Sequence, residues 1–342
     1  MGVSIGWDVG GAHLKAARAE NGRVVAAVQA ASPLWLGVFR LDDAFDAIKK
    51  QLGSADRHAV AMTGELSMAF ASRREGVRAL TAAVIAHLAP VPVKFYGGRA
   101  GFLTAEAVPE HTADVASANW HASAAVAARH RRDALFVDIG STTTDLIPIA
   151  DGVVASRGYT DAERLAMGEL VYTGLVRSMV FASANRAPVD GSWTPLMNDD
   201  FANMADVRRI IGDLPAEADL QATTDGRDKS PAASRARLAR MVGRDASDLN
   251  DAAWLSLAEW FAEQQLRVIA DAAMQVLSVG RLTKEAPIVA AGTGCDILHE
   301  ISRRLGRPHV DFGELIGAAP EARTAACHHA PAAALAILAS SF

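Results

Sequence analysis

Two short segments of the 342-residue chain combine acidic residues and glycines in a pattern suited to binding phosphate. Residues 8–15 read DVGGAHLK, and residues 138–145 read DIGSTTTD. A glycine-rich turn exposes backbone N–H groups that phosphate oxygens can approach closely. A carboxylate beside the turn, from Asp8 or Asp138, is a suitable ligand for Mg²⁺, which prefers a few carboxylates together with phosphate oxygens. We therefore expect each segment to bind one side of a diphosphate or polyphosphate.

The turn residues that could contact phosphate are small or carry a hydroxyl or ammonium group. They are Gly10, Gly11, Lys15, Gly140, Ser141, Thr142 and Thr143. A third segment of this kind, Gly292-Thr293-Gly294, follows an apolar run and precedes an amphipathic stretch over residues 296–305. A strand, a glycine turn and a helix in this order place backbone donors at the helix N-terminus. This pattern is common by itself, and it gains weight from its position after the two acidic segments.

Extended apolar runs surround both acidic segments and must position them. A turn dipeptide follows each segment at the same offset, Asn21-Gly22 in the first case and Asp151-Gly152 in the second. These dipeptides favour hairpins because both residues tolerate positive φ. The unit of strand, Asp-x-Gly, strand, turn and strand therefore occurs twice, which predicts two related domains. One copy alone would indicate no more than a β-hairpin with a glycine turn.

Composition fits a globular protein and excludes several classes of function. The chain has 34 Lys+Arg and 39 Asp+Glu, a net charge of −5, and half of its residues are apolar. An acidic balance argues against a nucleic-acid partner, and no apolar run predicts a membrane span or a signal peptide. Two cysteines, Cys295 and Cys327, are too few for a disulfide framework or a structural zinc site. We therefore expect a cytoplasmic protein.

The repeat predicts an α/β fold with two domains, residues 1–130 and 131–342. Each domain should contain a mixed sheet that begins with a pair of hairpins and is covered by helices. The second should include a long helix over residues 254–279, where apolar residues recur every three or four positions. A C-terminal helix over residues 332–339 is a candidate to cross back to the first domain.

Residues 185–250 interrupt the repeat with a polar, proline-containing insert. A long insert in an α/β domain is often a lid, a substrate loop or an oligomer contact. A mobile, solvated loop explains the composition equally well. The sequence leaves the oligomeric state open, and a homo-oligomer is compatible with it.

These segments resemble the acetate and sugar kinase, heat-shock chaperone and actin superfamily. In that superfamily two hairpins and a late glycine-rich loop surround a nucleotide or phosphate in the cleft between two actin-like (ribonuclease H-like) domains. The segments DVGGAHLKAA, AMTGELSMAF, ANWHASA, FVDIGSTTTDLIP and VAAGTG resemble, more narrowly, the hydantoinase/oxoprolinase-related branch that accompanies tetrahydromethanopterin-linked one-carbon enzymes. The resemblance covers nearly the whole chain.

The resemblance implies a pyrophosphate-releasing transferase of alkyl or aryl groups in methanofuran biosynthesis. Its substrates would be a furanylmethyl diphosphate and the phenol of a tyramine-type acceptor, with Mg²⁺ as cofactor, and whether ATP also binds stays open. Mg²⁺, amides and cations can stabilise the charge that develops on pyrophosphate. Two alternatives remain. One is an ATP-dependent small-molecule kinase or hydrolase subunit, and the other is a nucleotide-switched binding protein.

The phenol needs a general base, because its ordinary pKa is about 10. Glu65 is the leading candidate, since it follows an apolar run and a Thr63-Gly64 turn at a strand end, where α/β sites usually lie. Asp8 and Asp138 complete the predicted catalytic set and are the expected metal ligands. The alternative for Glu65 is a place in the first turn of a helix, where it favours the helix dipole.

Five further polar side chains are weaker candidates for substrate contacts. They are Arg73, Arg99, Asn119, Arg227 and Lys229. Arg73 fits an exposed helical pair with Arg74 better, and Arg99 fits a surface turn equally well. Asn119 fits a cap for the helix that follows better than a substrate contact. The histidine pair at 328 and 329 does not predict a metal site, because adjacent side chains point in different directions on most backbones.

Overall fold

The computed structural model describes residues 2–342. Its strands are β1 (Val3–Val9), β2 (His13–Glu20), β3 (Arg23–Ala31), β4 (Arg57–Met62), β5 (Val93–Tyr96), β6 (Phe102–Leu103), β7 (Ala134–Ile139), β8 (Thr144–Ala150), β9 (Val153–Val154), β10 (Leu170–Val171), β11 (Arg186–Val189), β12 (Ser192–Pro195), β13 (Ile288–Ala291) and β14 (His309–Asp311). Its α-helices are α1 (Arg40–Leu52), α2 (Arg73–Leu88), α3 (Thr112–Val115), α4 (Asn119–His130), α5 (Asp161–Met167), α6 (Met204–Ile211), α7 (Pro231–Met241), α8 (Asp251–Leu277), α9 (Leu298–Leu305), α10 (Phe312–Leu315), α11 (Arg323–His328) and α12 (Ala330–Leu338).

The first sheet forms from the first copy of the repeat. Its strand order is β3-β2-β1-β4-β5-β6. The first three strands are antiparallel, and β4 and β5 join them as parallel neighbours. The turn between β2 and β3 has Asn21 at φ 52° and Gly22 at φ 82°, as the Asn-Gly hairpin prediction requires.

The second sheet repeats this arrangement in the order β10-β8-β7-β13-β14, with β9 also paired to β8. Asp151 at φ 56° and Gly152 at φ 77° form the corresponding turn. In both sheets an antiparallel hairpin lies beside two parallel strands, which is the arrangement expected of actin-like domains. The predicted α/β fold with mixed sheets is confirmed. The limits of the two domains stay a prediction.

Two helices pack on the sheet that the other half of the chain forms. Helix α12 covers the first sheet, where Ser4 Oγ donates a hydrogen bond to Ala336 O (2.7 Å). A Cβ at Gly6 would lie only 2.2 Å from Ala332 O, so glycine is needed for this close approach. Helix α4 packs against β7, β8 and β9 and against α12. The predicted C-terminal helix therefore reaches the sheet of residues 3–103.

The insert over residues 185–250 is a packed unit with secondary structure of its own. It contains the β11–β12 hairpin, α6 and α7, and its apolar side chains form a core with the first half of α8. Asp206 and Arg237 form a buried ion pair (2.7 Å) inside it. Gln221 reaches the first hairpin, where its Nε2 donates to Ala12 O (2.8 Å). The insert is thus not the mobile, solvated loop that was one reading of its composition.

Helix α8 confirms the long helix predicted over residues 254–279, and it begins three residues earlier, at Asp251. One side is buried against the insert and then against β8, with Phe261 and Ile269 fully covered. Neither α8 nor any other helix within residues 2–342 is long and apolar enough to cross a membrane.

Candidate functional site

The leading aspartates of the two hairpins interact electrostatically. Asp8 lies opposite Lys15 in the β1–β2 pair, and Asp138 lies opposite Asp145 in the β7–β8 pair. The pKa of Asp138 is raised to about 7, chiefly by burial and also by the charges of Asp145 and Asp8, while Lys15 opposes this rise. The charge of Asp8 thus reaches Asp138, and we expect the two hairpins to contribute to one site.

Asp8 contacts the first residue of α4, Asn119. Burial raises the pKa of Asp8, while Lys15 and a hydrogen bond from Asn119 lower it. Asn119 Nδ2 donates to Asp8 Oδ1 (3.4 Å), and Asn119 Oδ1 accepts from the backbone N–H of Trp120 (2.7 Å). The helix cap predicted for Asn119 is wrong, because Asn119 is the first residue of the helix and Ala118 stands at the cap position. Its amide instead contacts the predicted site.

Asp145 is a site residue that the sequence analysis missed. Burial raises the pKa of Asp145, and the guanidinium of Arg164, which donates a hydrogen bond to Asp145 Oδ1, lowers it. Arg164 is itself buried and lies over the ring of Trp120 (4.2 Å from the centroid). Aligning the two repeat copies would have found Asp145, because it occupies the position of Lys15.

The glycine turns use some of their amides internally. The N–H groups of Gly10 and Gly140 donate to carbonyl oxygens three residues further on (3.0 and 2.9 Å). No acceptor within residues 2–342 takes the amides of Ser141 or Thr142 at the tip of the second turn. Ser141 Oγ is also buried without a partner. The donors that remain for a ligand therefore lie at the tips of the turns.

The third glycine segment lies against the second hairpin. Gly292 has φ 85°, and a Cβ there would lie 2.2 Å from Asp138 Oδ1. Gly294 N–H donates to Ile139 O (2.9 Å), and Thr293 is buried between the two glycines. Two of the three glycine segments identified in the sequence, residues 138–145 and 292–294, are thus in direct contact beside Asp138.

Glu65 lies in a short 3₁₀ turn over residues 64–66, directly after β4. Its side chain is buried, and its Oε1 accepts a hydrogen bond from Ser117 Oγ (2.9 Å). Its Oε2 is buried without a hydrogen-bond partner. Burial raises the pKa of Glu65 to about 7. A carboxylate of this kind can exchange a proton at neutral pH.

Ser117 connects Glu65 to a second carboxylate. Its Oγ lies 3.2 Å from Asp161 Oδ2, and Arg73 donates to the same oxygen of Asp161 (2.6 Å). A hydroxyl has one hydrogen to donate, so both contacts of Ser117 are hydrogen bonds only when one carboxyl is protonated. Asp161 raises the pKa of Glu65 and of Asp145, which connects this group to the hairpins.

Arg177 is a cation that no sequence pattern indicated. Its backbone N–H donates to Ser141 O (2.8 Å), which fixes it beside the second hairpin. Its guanidinium lies over the ring of Trp35 (4.7 Å from the centroid), which follows the last strand of the first hairpin. Burial lowers the pKa of Arg177. Arg177 therefore bridges the two halves of the site.

The remaining predicted cations lie in different places. Arg99 stacks on the ring of Tyr159 (5.1 Å), and Arg227 is exposed on the insert, so neither joins the carboxylates. Lys229 is closer, because its charge contributes to the lowered pKa of His13, for which burial is the main cause. Of these three cations, Lys229 is therefore the one whose charge reaches the first hairpin.

The hairpin carboxylates do not form a complete metal site by themselves. Within residues 2–342, one group of three His, Cys, Asp or Glu side chains has all its ligand atoms within 4.8 Å, and it consists of His299, His309 and Asp311. Mg²⁺ usually takes one or two carboxylates together with phosphate oxygens and water. Burial and the nearby charges of Asp145 and Asp8 raise the pKa of Asp138, and a bound cation would offset both effects.

The chain is similar to a protein family and to two named proteins. The hydantoinase/oxoprolinase family model matches residues 56–312. A Methanocaldococcus jannaschii protein named (4-{4-[2-(gamma-L-glutamylamino)ethyl]phenoxymethyl}furan-2-yl)methanamine synthase is 30% identical over 297 residues, which cover 86% of this chain and 87% of that protein. A protein of the same name from Methanococcus vannielii is 34% identical over 119 residues, 35% of this chain and 52% of that protein.

A solved structure shows the same fold at low sequence identity. Nucleotide-free acetone carboxylase superposes with a TM-score of 0.56 at 10% identity, covering 90% of this chain and 68% of that chain. With the family model matched over most of its length and a relative aligned nearly end to end, the chain belongs to the hydantoinase/oxoprolinase family.

Proposed function

We propose that this protein joins a furanylmethyl diphosphate to the phenol of a tyramine-type acceptor and releases pyrophosphate, in the biosynthesis of a methanofuran-type cofactor. Two relatives are named as synthases of a phenoxymethyl-furan methanamine, a product with an ether bond between a phenol oxygen and a furanylmethyl carbon. The observation that carries the proposal is Glu65. It is a buried carboxylate with one unpartnered oxygen and a pKa of about 7, and the residue before it, Gly64, packs against Gly10 of the first hairpin.

The reaction breaks one C–O bond and forms another. The bond between the furanylmethyl carbon and the diphosphate breaks, and its electron pair leaves with pyrophosphate. The phenol oxygen forms the new ether bond to the same carbon, and the phenolic proton passes to Glu65 Oε2. Because the pKa of Glu65 is about 7, a large fraction of its carboxyl groups is ionised at neutral pH and can accept that proton.

Cations and amides on both sides of the site would hold the leaving group. Lys15 and Arg177 supply positive charge from the first and second halves of the chain, and the amides of Ser141 and Thr142 supply hydrogen bonds. Such donors stabilise charge as it develops on pyrophosphate. Mg²⁺, with Asp8 and Asp138 as its ligands, would neutralise part of the diphosphate charge.

Ser117, Asp161 and Arg73 position the base. The Ser117 hydroxyl holds Oε1 of Glu65, and the buried Oε2 is left without a hydrogen-bond partner in the protein. The Arg73–Asp161 ion pair (2.6 Å) holds Ser117 in turn. One nitrogen of the Arg73 guanidinium is engaged by Asp161, and the pyrophosphate contact considered for Arg73 stays a prediction.

The test is turnover without nucleotide. Purified protein is incubated with Mg²⁺, the furanylmethyl diphosphate and either tyramine or its γ-glutamyl form, and product is followed by mass spectrometry. We expect one pyrophosphate for each ether formed. Unchanged substrates with concurrent ATP hydrolysis would favour the ATP-dependent kinase or hydrolase alternative. Nucleotide binding without any turnover would favour the nucleotide-switched binding protein.

A further inference from the structure

Three histidine nitrogens near Lys15 are buried without hydrogen-bond partners. They are His13 Nε2, His328 Nε2 and His329 Nδ1. The rings of His13 and His329 are more than nine-tenths buried. Buried polar atoms in proteins are almost always hydrogen-bonded, and an exception needs an explanation. A bound ligand that completes the hydrogen bonds is one such explanation.

Strand geometry brings these histidines to one place. His13 and Lys15 alternate onto the same face of β2, and Lys15 pairs directly with Asp8, so all three side chains share a face of the sheet. Helix α12 runs along that face. Its contact moves from Ala336 beside Ser4 to Ala332 beside Gly6.

The chain just before α12 lies against the second hairpin. Gly292 N–H donates to Cys327 O (2.9 Å), and a Cβ at Gly292 would lie 2.2 Å from Asp138 Oδ1. His328 and His329 follow directly after Cys327, and the charge of Lys15 acts on both of them. The sequence analysis did not predict a metal site at His328 and His329. We consider them instead as ligand-binding residues beside the proposed diphosphate site.

The charges around the three rings suit an anionic ligand. Burial lowers the pKa of all three histidines, and the charge of Lys15 lowers each of them as well. The charges of Arg177 and Lys229 also lower the pKa of His13, whereas the charges of Asp296 and Glu217 raise the pKa of His328. Within residues 2–342, no ion pair within 4.0 Å includes Lys15, although its charge acts on the buried carboxyl groups of Asp8, Asp138 and Asp145. An unpaired ammonium group beside neutral N–H donors is a site for anionic oxygens.

We propose that His13, His329 and Lys15 form a subsite that binds an anionic oxygen group of a substrate, with His328 at its edge. The identity of that substrate rests on the proposed function. A phosphoryl group of the diphosphate and the carboxylate of a glutamylated acceptor both have this chemistry. The subsite would then recognise either the leaving group or the acceptor's carboxylate.

Histidine NMR on the wild-type protein tests the subsite directly. The ring nitrogens are ¹⁵N-labelled, assigned with His13→Gln and His329→Gln, and titrated with inorganic pyrophosphate, γ-glutamyl-tyramine and tyramine. We expect the His13 and His329 signals to move with one of the two anions and not with tyramine. Movement with pyrophosphate identifies the diphosphate as the ligand, and movement with γ-glutamyl-tyramine alone identifies the carboxylate.

Affinity measurements give a second readout. We expect His13→Leu to weaken binding of the identified anion by ~10-fold or more, because a hydrogen bond to a charged group is lost. His13→Gln keeps an N–H donor and should lose less. His299→Leu is the control, because His299 is an exposed histidine elsewhere on the second half of the chain. The His299→Leu variant should bind the anion with the same affinity as the wild type.

The outcomes separate the subsite from the proposed function. Histidine signals that stay unmoved by both anions, or a His13→Leu variant that binds them with wild-type affinity, would refute the subsite. Absence of any anion binding would refute it too. Product formation with unmoved signals leaves the condensation standing without the subsite, whereas moved signals without product support the subsite and refute the condensation.

Discussion

Asp145 occupies in the second hairpin the position that Lys15 occupies in the first, opposite the leading aspartate of its strand pair. The two hairpins therefore share a geometry and differ in charge. Lys15 lowers the pKa of Asp8, Asp138 and Asp145, so the charge of this one ammonium group acts on three buried carboxyl groups. Because of this difference we expect the two hairpins to play unequal parts in ligand binding.

Glu65→Gln should abolish most of the condensation activity. Loss of a general base typically costs about 10²- to 10⁴-fold in rate. The wild-type rate should rise as pH increases through about 7, because the pKa of Glu65 is raised to about 7 and only its ionised form accepts the phenolic proton. Rates measured between pH 5.5 and 8.5 check this, with the exposed Glu110→Gln as control. A Glu65→Gln enzyme that keeps the same pH-dependent rise would contradict the assignment.

Asp138→Asn should stabilise the protein above pH 7 when Mg²⁺ is left out. The folded-state pKa of Asp138 is raised from 3.8 to about 7, so the native state holds a proton that the unfolded chain has lost between these pH values. The free energy of unfolding of the wild type therefore falls relative to that of the variant as pH rises from about 4 to 7, by up to ~4 kcal/mol.

Urea denaturation at several pH values measures this difference, and the exposed Asp200→Asn should show none. Added Mg²⁺ should stabilise the wild type more than Asp138→Asn, because the ion binds the folded state through the ionised carboxylate. Equal stabilisation of both proteins by Mg²⁺ would exclude Asp138 as a ligand.

Gly292→Ala and Gly280→Ala form a matched pair. Both glycines have left-handed φ, 85° and 78°, but a Cβ at Gly292 would lie 2.2 Å from Asp138 Oδ1, whereas a Cβ at Gly280 would contact nothing within 4 Å. Each substitution should cost ~1–2 kcal/mol of backbone strain, and Gly292→Ala should cost more than Gly280→Ala because its Cβ would also lie 2.3 Å from Ile139 O. Only Gly292→Ala should also lower turnover, by ~100-fold, because it displaces Asp138. Similar turnover in the two variants would argue against a role for the Asp138 position.

Arg177→Ala should weaken pyrophosphate binding by ~10- to 100-fold, because a charge-assisted hydrogen bond is lost. Arg186→Ala is the control. Arg186 lies over Trp193 (4.8 Å) much as Arg177 lies over Trp35 (4.7 Å), but on the insert hairpin. Isothermal titration with pyrophosphate and Mg²⁺ provides the dissociation constants. An unchanged constant for Arg177→Ala would remove Arg177 from the leaving-group site.

The sequence predicted the parts of the fold that depend on local chemistry. The Asn21-Gly22 and Asp151-Gly152 turns have the positive φ angles their residue types favour, and the spacing of apolar residues gave α8. The two aspartates came from the repeat itself. Asp145 was missed although the same repeat contains it, because its side chain differs in charge from Lys15.

Other site residues depend on contacts between distant segments, and no local pattern encodes these. Arg177 has no motif around it, and its place follows from the hydrogen bond of its own amide to Ser141 O. Ser117 binds Glu65 from 52 positions away in the chain. A mobile, solvated loop was one reading of the insert, because composition alone cannot distinguish polar residues in buried pairs such as Asp206–Arg237 from solvated ones.

The exchange of α4 and α12 between the two sheets has a consequence for how the molecule moves. A chain divided at residue 130 would give two fragments, and the second sheet would lose α4 while the first would lose α12. Each sheet thus buries one face against a helix from the other half of the chain. A movement of one half relative to the other would therefore have to bend or shift these two helices.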